Sequence, residues 1–233
     1  MREALRGRRR VLRLILMSGR AGDRLEPSIE RWCLAQERGA ELVRLPAAEI
    51  SALVGSPDHQ GVVAQVEPYP YVELGEVLSS HDLLVALDAV QDPQNLGAVV
   101  RTATAAGAAV IIPRHRAAEV TATVVKASAG ATEHAWVARV RNLSDTLAEV
   151  KKAGFWIYGA AAGAAGSYLA EDYRYPTCFV LGSEGEGVGK RVAAACDVMV
   201  ALPVAAAVES LNVSVTAGIL LYEAVRQRRE QEP

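Results

Sequence analysis

The sequence predicts an α/β protein, in which a small α/β domain precedes a larger domain built on a parallel sheet. From Leu83 onward, apolar runs of four to eight residues alternate with segments of helical periodicity. Runs that are apolar throughout are typical of parallel strands, because crossover helices cover both faces of such a sheet. The 233 residues are 51% hydrophobic and 22% charged, which excludes a disordered chain and allows a self-sufficient core.

Residues 1–66 are expected to form the small first domain. The spacing of apolar residues predicts a helix over 27–38. The predicted strands of this domain are Val11–Met17, Glu41–Leu45 and 61–66. A linker is predicted over 67–80, because Pro68 and Pro70 favour an extended backbone.

Residues 81–233 are expected to form the larger domain. Its predicted strands are 83–90, 108–112, 136–140, 155–161, Thr177–Gly182 and 197–203. Its predicted helices are 95–106, 119–127, Leu143–Lys152, 188–195 and a long last helix that begins near Ser210. Ligands of such sheets bind at the carboxyl ends of the strands, so three segments that follow strands are candidates for a functional site.

The first candidate segment, 88–103, takes a strand through a turn into a helix. Asn95 is expected to cap this helix. Arg101 then lies about two turns along it and can lean back toward the strand ends, because helical side chains tilt toward the N-terminus. A surface arginine on a capped helix is the alternative interpretation.

The second segment, 179–189, ends a strand in a turn that holds four glycines together with Glu184 and Glu186. Glycines allow the backbone to approach a ligand closely. The phosphate-binding spacing G-x-G-x-x-G is absent and two carboxylates would repel a pyrophosphate, so a neutral or cationic ligand is favoured. A nicotinamide oxidoreductase is disfavoured, because its glycines would follow the first strand.

The third segment, 200–215, breaks a strand at Pro203 and leads to Ser210, which is expected to cap the last helix. That capping role alone could explain the presence of this serine.

Charge and cysteine content narrow the functional class further. Residues 1–20 hold seven arginines and one acid although the whole chain has a net charge of −2. This excess favours contact with a polyanion, the alternative being a solvated helix end. The three cysteines and four histidines are scattered, so no metal is expected. With no apolar run near ~20 residues and no secretory signal, a cytoplasmic location without a membrane span is expected.

Together, the three segments resemble the three motifs of the SpoU/TrmH family of RNA ribose 2′-O-methyltransferases, within the knotted SPOUT superfamily. The matches are N-x-G-x-x-x-R-T-A at 95–103, L-G-x-E-G-x-G at 181–187, and a proline followed by S-L-N-V-S-V at 210–215. The segment 59–64, HQGVVA, is similar to the one that joins the two domains of the RlmB-type 23S rRNA guanosine methyltransferases. The third motif departs from the family at Val204 and Ala206, where methionine and glycine are common.

The resemblance implies a fold, a cofactor and a set of site residues. The last third of the chain would form a deep trefoil knot that binds S-adenosylmethionine. The implied cofactor-binding residues are Gly182, Leu202 and Leu211. The implied catalytic residues are Asn95, Arg101, Glu184, Ser210 and Asn212.

Several roles within the implied site are open. Arg101 is the family's proposed base, whereas a guanidinium with a pKa above ~12 is at least as well suited to clamping a phosphate. Glu184 is expected to order Arg101 or its own loop. Ser210 and Asn212 are expected to cap the last helix and to hydrogen-bond near the ribose.

The resemblance also implies partners. The first domain is similar to small ribosomal-protein-like RNA-binding modules, and the expected substrate is 23S rRNA. A homodimer is expected through the methyltransferase domain, with the last helix as a candidate interface element. The alternatives are the same chemistry on tRNA or on a ribosomal adenosine, as in resistance methyltransferases, or an RNA-binding protein without catalysis.

Overall fold

The structure is a computed structural model that describes residues 2–18, 40–57, 59–205 and 207–230. The chain divides into two compact units between Pro70 and Tyr71. The helix predicted over 27–38 and the departure from the family motif at Ala206 lie outside the described residues.

The first unit contains a three-stranded sheet with the strand order β2–β1–β3. Its elements are α1 (Arg2–Arg6), β1 (Val11–Met17), β2 (Glu41–Leu45), α2 (Ala47–Val54) and β3 (Val62–Val66). Strand β1 pairs parallel with β2 and antiparallel with β3. The predicted bounds of β1 and β2 are confirmed, and β3 begins one residue later than predicted. Neither short helix was predicted; α2 buries Ile50 and ends at Gly55, whose positive φ suits a helix C-terminus.

The second unit is built on a seven-stranded sheet with the order β6–β5–β4–β9–β7–β10–β8, in which neighbouring strands pair parallel. Its strands are β4 (Leu83–Asp88), β5 (Ala109–Pro113), β6 (Val137–Val140), β7 (Trp156–Ala160), β8 (Gly166–Ser167), β9 (Thr177–Gly182) and β10 (Val198–Ala201). Its helices are α3 (Leu74–Ser80), α4 (Pro93–Ala105), α5 (Ala122–Ala127), α6 (Leu143–Lys152), α7 (Lys190–Ala193) and α8 (Val213–Arg229). The predicted parallel sheet is therefore confirmed.

Both faces of this sheet are covered, as the continuous apolar strands predicted. Helices α3 and α6 bury Val77, Leu147 and Val150 against strand residues such as Ala86 and Ile111. Helix α8 packs against α4 and also contacts β9. Because helices lie on both faces, β4 is buried along nearly its whole length, and the carboxyl ends of the strands remain the accessible edge.

The starts of several helices differ from the prediction: α5 begins at Ala122 rather than 119, α7 at Lys190 rather than 188, and α4 and α8 differ as well. Helix α4 begins at Pro93 with Asp92 as its cap, the carboxylate accepting from the backbone N–H of Gln94 at 2.9 Å, so Asn95 lies in the first turn. Aspartate followed by proline is a strong start signal, because proline supplies a helical φ where no N–H is needed. Helix α8 is capped by Asn212, which confirms one of its two predicted caps, whereas Ser210 does not cap it. Two good capping residues stand two positions apart there, and the second of them accepts the Ser214 N–H.

The segment predicted as a linker, 67–80, includes the helix α3. Val77 in this helix is fully buried, and Val72 forms a parallel β-bridge with Ala138. Leu74, Val77 and Leu78 follow helical spacing, so this short segment gains its stability by packing on the sheet.

Two cysteines of the second unit behave as buried thiols. Burial raises the pKa of Cys178, which is fully enclosed. Burial also raises the pKa of Cys196 to about 11, against the opposing effect of Lys151. In the part of the chain that the structure describes, no group of His, Cys, Asp and Glu could hold a metal ion. Among the same residues, no helix is long and apolar enough to cross a membrane.

Candidate active site

A cavity of about 410 Å³ opens at the carboxyl ends of β7, β9 and β10, beside the start of α8. Its lining residues are 160–162, 181–188, Leu202, Val204, 209–211, Val213 and Thr216. The volume lies within the range of about 300–1,000 Å³ typical of small-molecule sites. The position agrees with the strand-end rule that predicted it.

The charges on this cavity wall have a single sign. Glu184, Glu186 and Glu209 line it, whereas no lysine, arginine or histidine is among its described lining residues. A phosphate-rich cofactor would meet only carboxylates here, and a positively charged or neutral ligand would not be repelled. The site therefore retains the ligand preference predicted from the glycine turn.

The glycine turn folds back on itself at the end of β9. Ser183 and Gly187 form an antiparallel bridge, in which the Gly187 N–H donates to the Ser183 carbonyl at 2.9 Å. A Cβ atom at Gly182 would overlap the carbonyl group of Gly187. Gly185 and Gly187 both have positive φ, at +89° and +67°. Only glycine meets these requirements, so the turn presents bare backbone at these three positions, between the side chains of Ser183, Glu184 and Glu186.

All three residues predicted to bind the cofactor line this one cavity. Gly182 lies on the glycine turn, Leu202 directly follows β10, and Leu211 precedes the cap of α8. Val204, one of the two departures in the third motif, also lines it.

Three of the predicted catalytic residues meet in a hydrogen-bonded cluster. Glu184 Oε1 accepts from Asn95 Nδ2 at 3.0 Å and from Asn212 Nδ2 at 2.6 Å. Asn212 Nδ2 also lies 2.9 Å from Asn95 Oδ1. The cluster therefore joins α4, the glycine turn and the N-terminus of α8, which are far apart in sequence.

Capping fixes the orientation of the Asn212 amide. Its Oδ1 accepts from the Ser214 N–H at 2.8 Å and from the Ser214 hydroxyl at 2.6 Å. With the oxygen held at the helix N-terminus, the Nδ2 donors must face Glu184 and Asn95. The same side chain thus starts α8 and orders the polar cluster.

The other two predicted catalytic residues stand outside this cluster. Arg101 is exposed, and its side chain makes no hydrogen bond or ion pair with any residue that the structure describes. It lies six residues after Asn95, which rotates it about 240° around the helix axis. Of the two roles expected for Glu184, the ordering of Arg101 is not seen among the described residues, and Glu184 instead accepts from the two asparagines. Ser210 lines the cavity, and its hydroxyl has no hydrogen-bond partner among the described residues.

One residue that positions the site was missed by the sequence analysis. Asp88, at the end of β4, accepts from the Gly189 N–H at 2.8 Å and so ties the far end of the glycine turn to the neighbouring strand. The available signal was an acidic residue at the carboxyl end of an otherwise apolar strand, but the sequence gives no indication that β4 and β9 are neighbours.

Comparison with known proteins identifies this arrangement. Residues 82–222 match the SpoU rRNA methylase family, and residues 1–72 match the substrate-binding region of RNA 2′-O ribose methyltransferases. The chain belongs to the SpoU rRNA methylase family. This confirms the resemblance carried by the three motifs. As a SpoU methylase, the protein is an S-adenosylmethionine-dependent RNA ribose 2′-O-methyltransferase.

Two curated relatives match this chain over nearly their whole length. The chain is 40% identical over 233 residues to YacO of Bacillus subtilis, whose name places it in the TrmH family of tRNA/rRNA methyltransferases; the match covers 97% of this chain and 92% of the relative. It is 38% identical over 225 residues to the 23S rRNA (guanosine-2′-O-)-methyltransferase RlmB of Vibrio vulnificus, covering 94% and 90%. An AdoMet-bound rRNA methyltransferase from Sinorhizobium meliloti superposes with a TM-score of 0.82 at 25% identity, over 99% of this chain and 84% of that one.

Proposed function

We propose that this SpoU methylase modifies the ribose of a guanosine in 23S rRNA, and that the Asn95–Glu184–Asn212 cluster orients this ribose beside the cofactor. The observation that carries the proposal is the placement of this cluster at the rim of the cavity, through Glu184, which belongs to both. The choice of substrate is supported by the Vibrio vulnificus relative, whose name describes 2′-O-methylation of guanosine in 23S rRNA.

The cavity fits S-adenosylmethionine. Its carboxylates suit a cationic ligand, and we assign to the backbone groups of Gly182, Leu202 and Leu211, which all line the cavity, the binding of the neutral adenine and ribose. When bound, S-adenosylmethionine supplies a methyl group on a positively charged sulfur.

The protein's own contribution is mainly one of positioning. Aligning the attacking hydroxyl with the methyl group that it receives lowers the activation barrier of such a displacement considerably. The weakly acidic hydroxyl must also lose its proton. Asn95 and Asn212 hold Glu184 in one orientation, and we assign to this cluster the hydrogen bonds that fix the ribose. Ser210, whose hydroxyl lacks a partner among the described residues, is assigned a contact with the same ribose.

Arg101 is assigned the role of a clamp on substrate phosphate. Its guanidinium is exposed and has no described partner, so it is available to an anion from outside the chain. A guanidinium donates two parallel hydrogen bonds to phosphate, whereas it resists the deprotonation that a general base requires.

Two features of the family are proposed for this chain as well. A knotted path is supported by the position of β9 between β4 and β7, with β10 beyond β7 and α8 returning to contact β9 and α4. A homodimer through α8 is supported by two exposed apolar side chains on one side of this helix, Val215 and Tyr222, which are 48% and 50% exposed and seven residues apart.

The proposal is tested by mapping ribose methyl groups. The purified protein is incubated with S-adenosylmethionine and 23S rRNA transcribed in vitro, and the RNA is analysed by mass spectrometry. We expect one methylated guanosine ribose. Methylation of tRNA alone would contradict the assigned substrate, and the absence of methylation on every RNA tested would contradict the proposed activity.

A matched pair of variants tests the role of the cluster. Glu184→Gln keeps the side-chain shape but replaces one acceptor oxygen with a donor, so we expect methylation to fall at least tenfold. Glu149→Gln on the exposed surface of α6 makes the same chemical change away from the cavity and should be silent. Equal methylation activities of the two variants would show that Glu184 does not take part in the reaction.

A further inference from the structure

Three exposed arginines follow the carboxyl ends of strands, the same end of the sheet at which the active site lies. Arg114 and Arg116 follow β5, and Arg141 follows β6. None of the three forms a side-chain ion pair within the described part of the chain. We call them the strand-end arginines.

Their distance from the active site follows from the strand order. In the order β6–β5–β4–β9, β5 is two strands and β6 three strands from β9, whose end carries Glu184. Neighbouring strands lie about 4.8 Å apart, so the ends of β5 and β6 are about 10 and 15 Å from the end of β9. Nucleotides that flank the modified one in the RNA can span these distances and so contact the strand-end arginines.

The loop that carries Arg114 and Arg116 is held in place by the backbone. The Ala118 N–H donates to the Val90 carbonyl at 2.9 Å, and the Arg114 N–H donates to the Val140 carbonyl at 2.7 Å. Val90 lies in the connection that leads into α4, so the loop is fixed to the element that carries Asn95. Arg116 has a φ of +57°, a conformation that costs a side-chain-bearing residue about 1 kcal/mol. Such strain in a well-anchored loop is typical of functional positions.

A fourth arginine, Arg139, holds the loop through a hydrogen bond and neutralises a carboxylate of the same loop. Arg139 is partly buried, stacks over the Tyr71 ring with 5.5 Å between its guanidinium carbon and the ring centroid, and donates to the Arg114 carbonyl at 3.3 Å. It also forms an ion pair with Glu119. Asp145, in the first turn of α6, forms no ion pair with Arg141 among the described residues. Within the described residues, no ion pair therefore neutralises the strand-end arginines.

We propose that the strand-end arginines form an RNA-binding surface on the methyltransferase unit, which binds phosphates of the nucleotides that flank the modified ribose. This inference rests on the proposed function, since it takes the substrate to be RNA. Unpaired guanidinium groups on a fixed loop match the backbone of a polyanion, and they add a sequence-independent term to affinity. The strand-end arginines belong to the second unit, whereas the arginine-rich residues 1–20 belong to the first.

Salt dependence of RNA binding tests the surface directly. The Kd for 23S rRNA transcribed in vitro is measured across KCl concentrations for Arg114→Gln, Arg116→Asn, Arg141→Gln and the triple variant. Asparagine is chosen at 116 because it tolerates positive φ. Each lost phosphate contact lowers the slope of log Kd against log salt concentration by about 0.7–0.9, so the triple variant should lose about two to three units.

Two controls and two further readouts separate binding from folding and from chemistry. Lys152→Gln removes an exposed cation at the end of α6, next to the opposite edge of the sheet, and should keep the wild-type slope. Arg114→Lys and Arg141→Lys keep the charge and should also keep most of the slope. The triple variant should bind S-adenosylmethionine as the wild type does, and its KM for RNA should rise while kcat is retained.

An unchanged slope in the triple variant, or an equal loss in Lys152→Gln, would overturn the RNA-binding surface. Wild-type protein that methylates no RNA would instead overturn the proposed function. Because the slope is measured without cofactor, the two failures are distinguishable.

Discussion

At the scale of single residues, the active site depends on positions where only one side chain fits. The overlap of a Cβ atom at Gly182 with the Gly187 carbonyl group involves backbone on both sides. The Gly187 backbone cannot rotate out of the way of an added Cβ atom, as the end of a long side chain could. The glycine turn and the cavity wall that it forms must therefore move together if Gly182 is replaced.

Gly182→Ala is expected to weaken S-adenosylmethionine binding at least tenfold, because the added methyl group forces the turn off the end of β9. The measurement is isothermal titration calorimetry. Gly218→Ala is the matched control, since its Cβ meets only the Thr102 methyl at 3.8 Å and alanine is the better helix former. The control should bind normally and be slightly more stable. Normal binding by Gly182→Ala would show that the turn does not form the cofactor wall.

Arg101→Lys distinguishes the two roles considered for Arg101. Lysine keeps the charge, loses the planar pair of donors and deprotonates far more readily. A clamp should lose about 10–100-fold in turnover, equivalent to the ~1.5–3 kcal/mol of a charge-assisted hydrogen bond, with an unchanged pH profile. Single-turnover methylation between about pH 6 and 10 checks this. Strong recovery of activity at alkaline pH would instead identify a proton acceptor.

At the scale of elements, α8 runs from the active site to the opposite end of the sheet, where the strands begin. Its N-terminal cap, Asn212, belongs to the polar cluster. Near its other end, Arg228 donates to the carbonyls of Tyr173, Tyr175 and Asp82 and to the Asp82 carboxylate, at 2.8–3.0 Å. One helix of 17 residues thereby ties the segment before β9 to the start of β4.

Arg228→Ala is expected to lower the free energy of unfolding by about 2–4 kcal/mol, because it leaves several acceptors without their donor. Arg229→Ala removes the next arginine along the helix, which is exposed and has no described side-chain partner, and should change stability by less than about 0.5 kcal/mol. Urea denaturation followed by circular dichroism compares the two. Similar midpoints would mean that the Arg228 hydrogen bonds contribute little to stability.

At the scale of the whole molecule, the two units differ in charge. Residues 1–70 hold 11 basic and 9 acidic residues, whereas the remainder of the chain is net acidic. Several N-terminal arginines are engaged within the first unit: Arg6 lies 3.9 Å from Glu3, Arg9 is buried against the Tyr69 ring, and Arg13 pairs with Glu41 at 2.6 Å. Arg10 is exposed, and its side chain has no partner among the described residues, so it is a better candidate for an RNA contact.

Deletion of residues 1–66 is expected to abolish methylation of 23S rRNA while cofactor affinity stays within about twofold, because the cavity is formed wholly by residues of the second unit. Calorimetry and a methylation assay measure the two effects. A truncated protein that methylates 23S rRNA as well as the full chain does would show that the first unit is not required for RNA recognition.

The sequence by itself determined the parallel sheet and the family. Buried strands such as Thr177–Gly182 are apolar throughout, and the glycines at 182–189 are required by local backbone geometry, so both leave direct marks in the order of residues. Helix starts were less certain, since Asp92 and Asn212 compete with other capping residues nearby.

Only the tertiary structure decided which side chains meet. It joined Glu184 to Asn95 and Asn212, turned Arg101 away from them, and placed Asp88 against Gly189. These contacts depend on β9 pairing with β4, although β5 to β8 lie between them in the chain. Apolar strands have similar preferences for many neighbours, and their order is set by how the crossover helices pack rather than by any one segment.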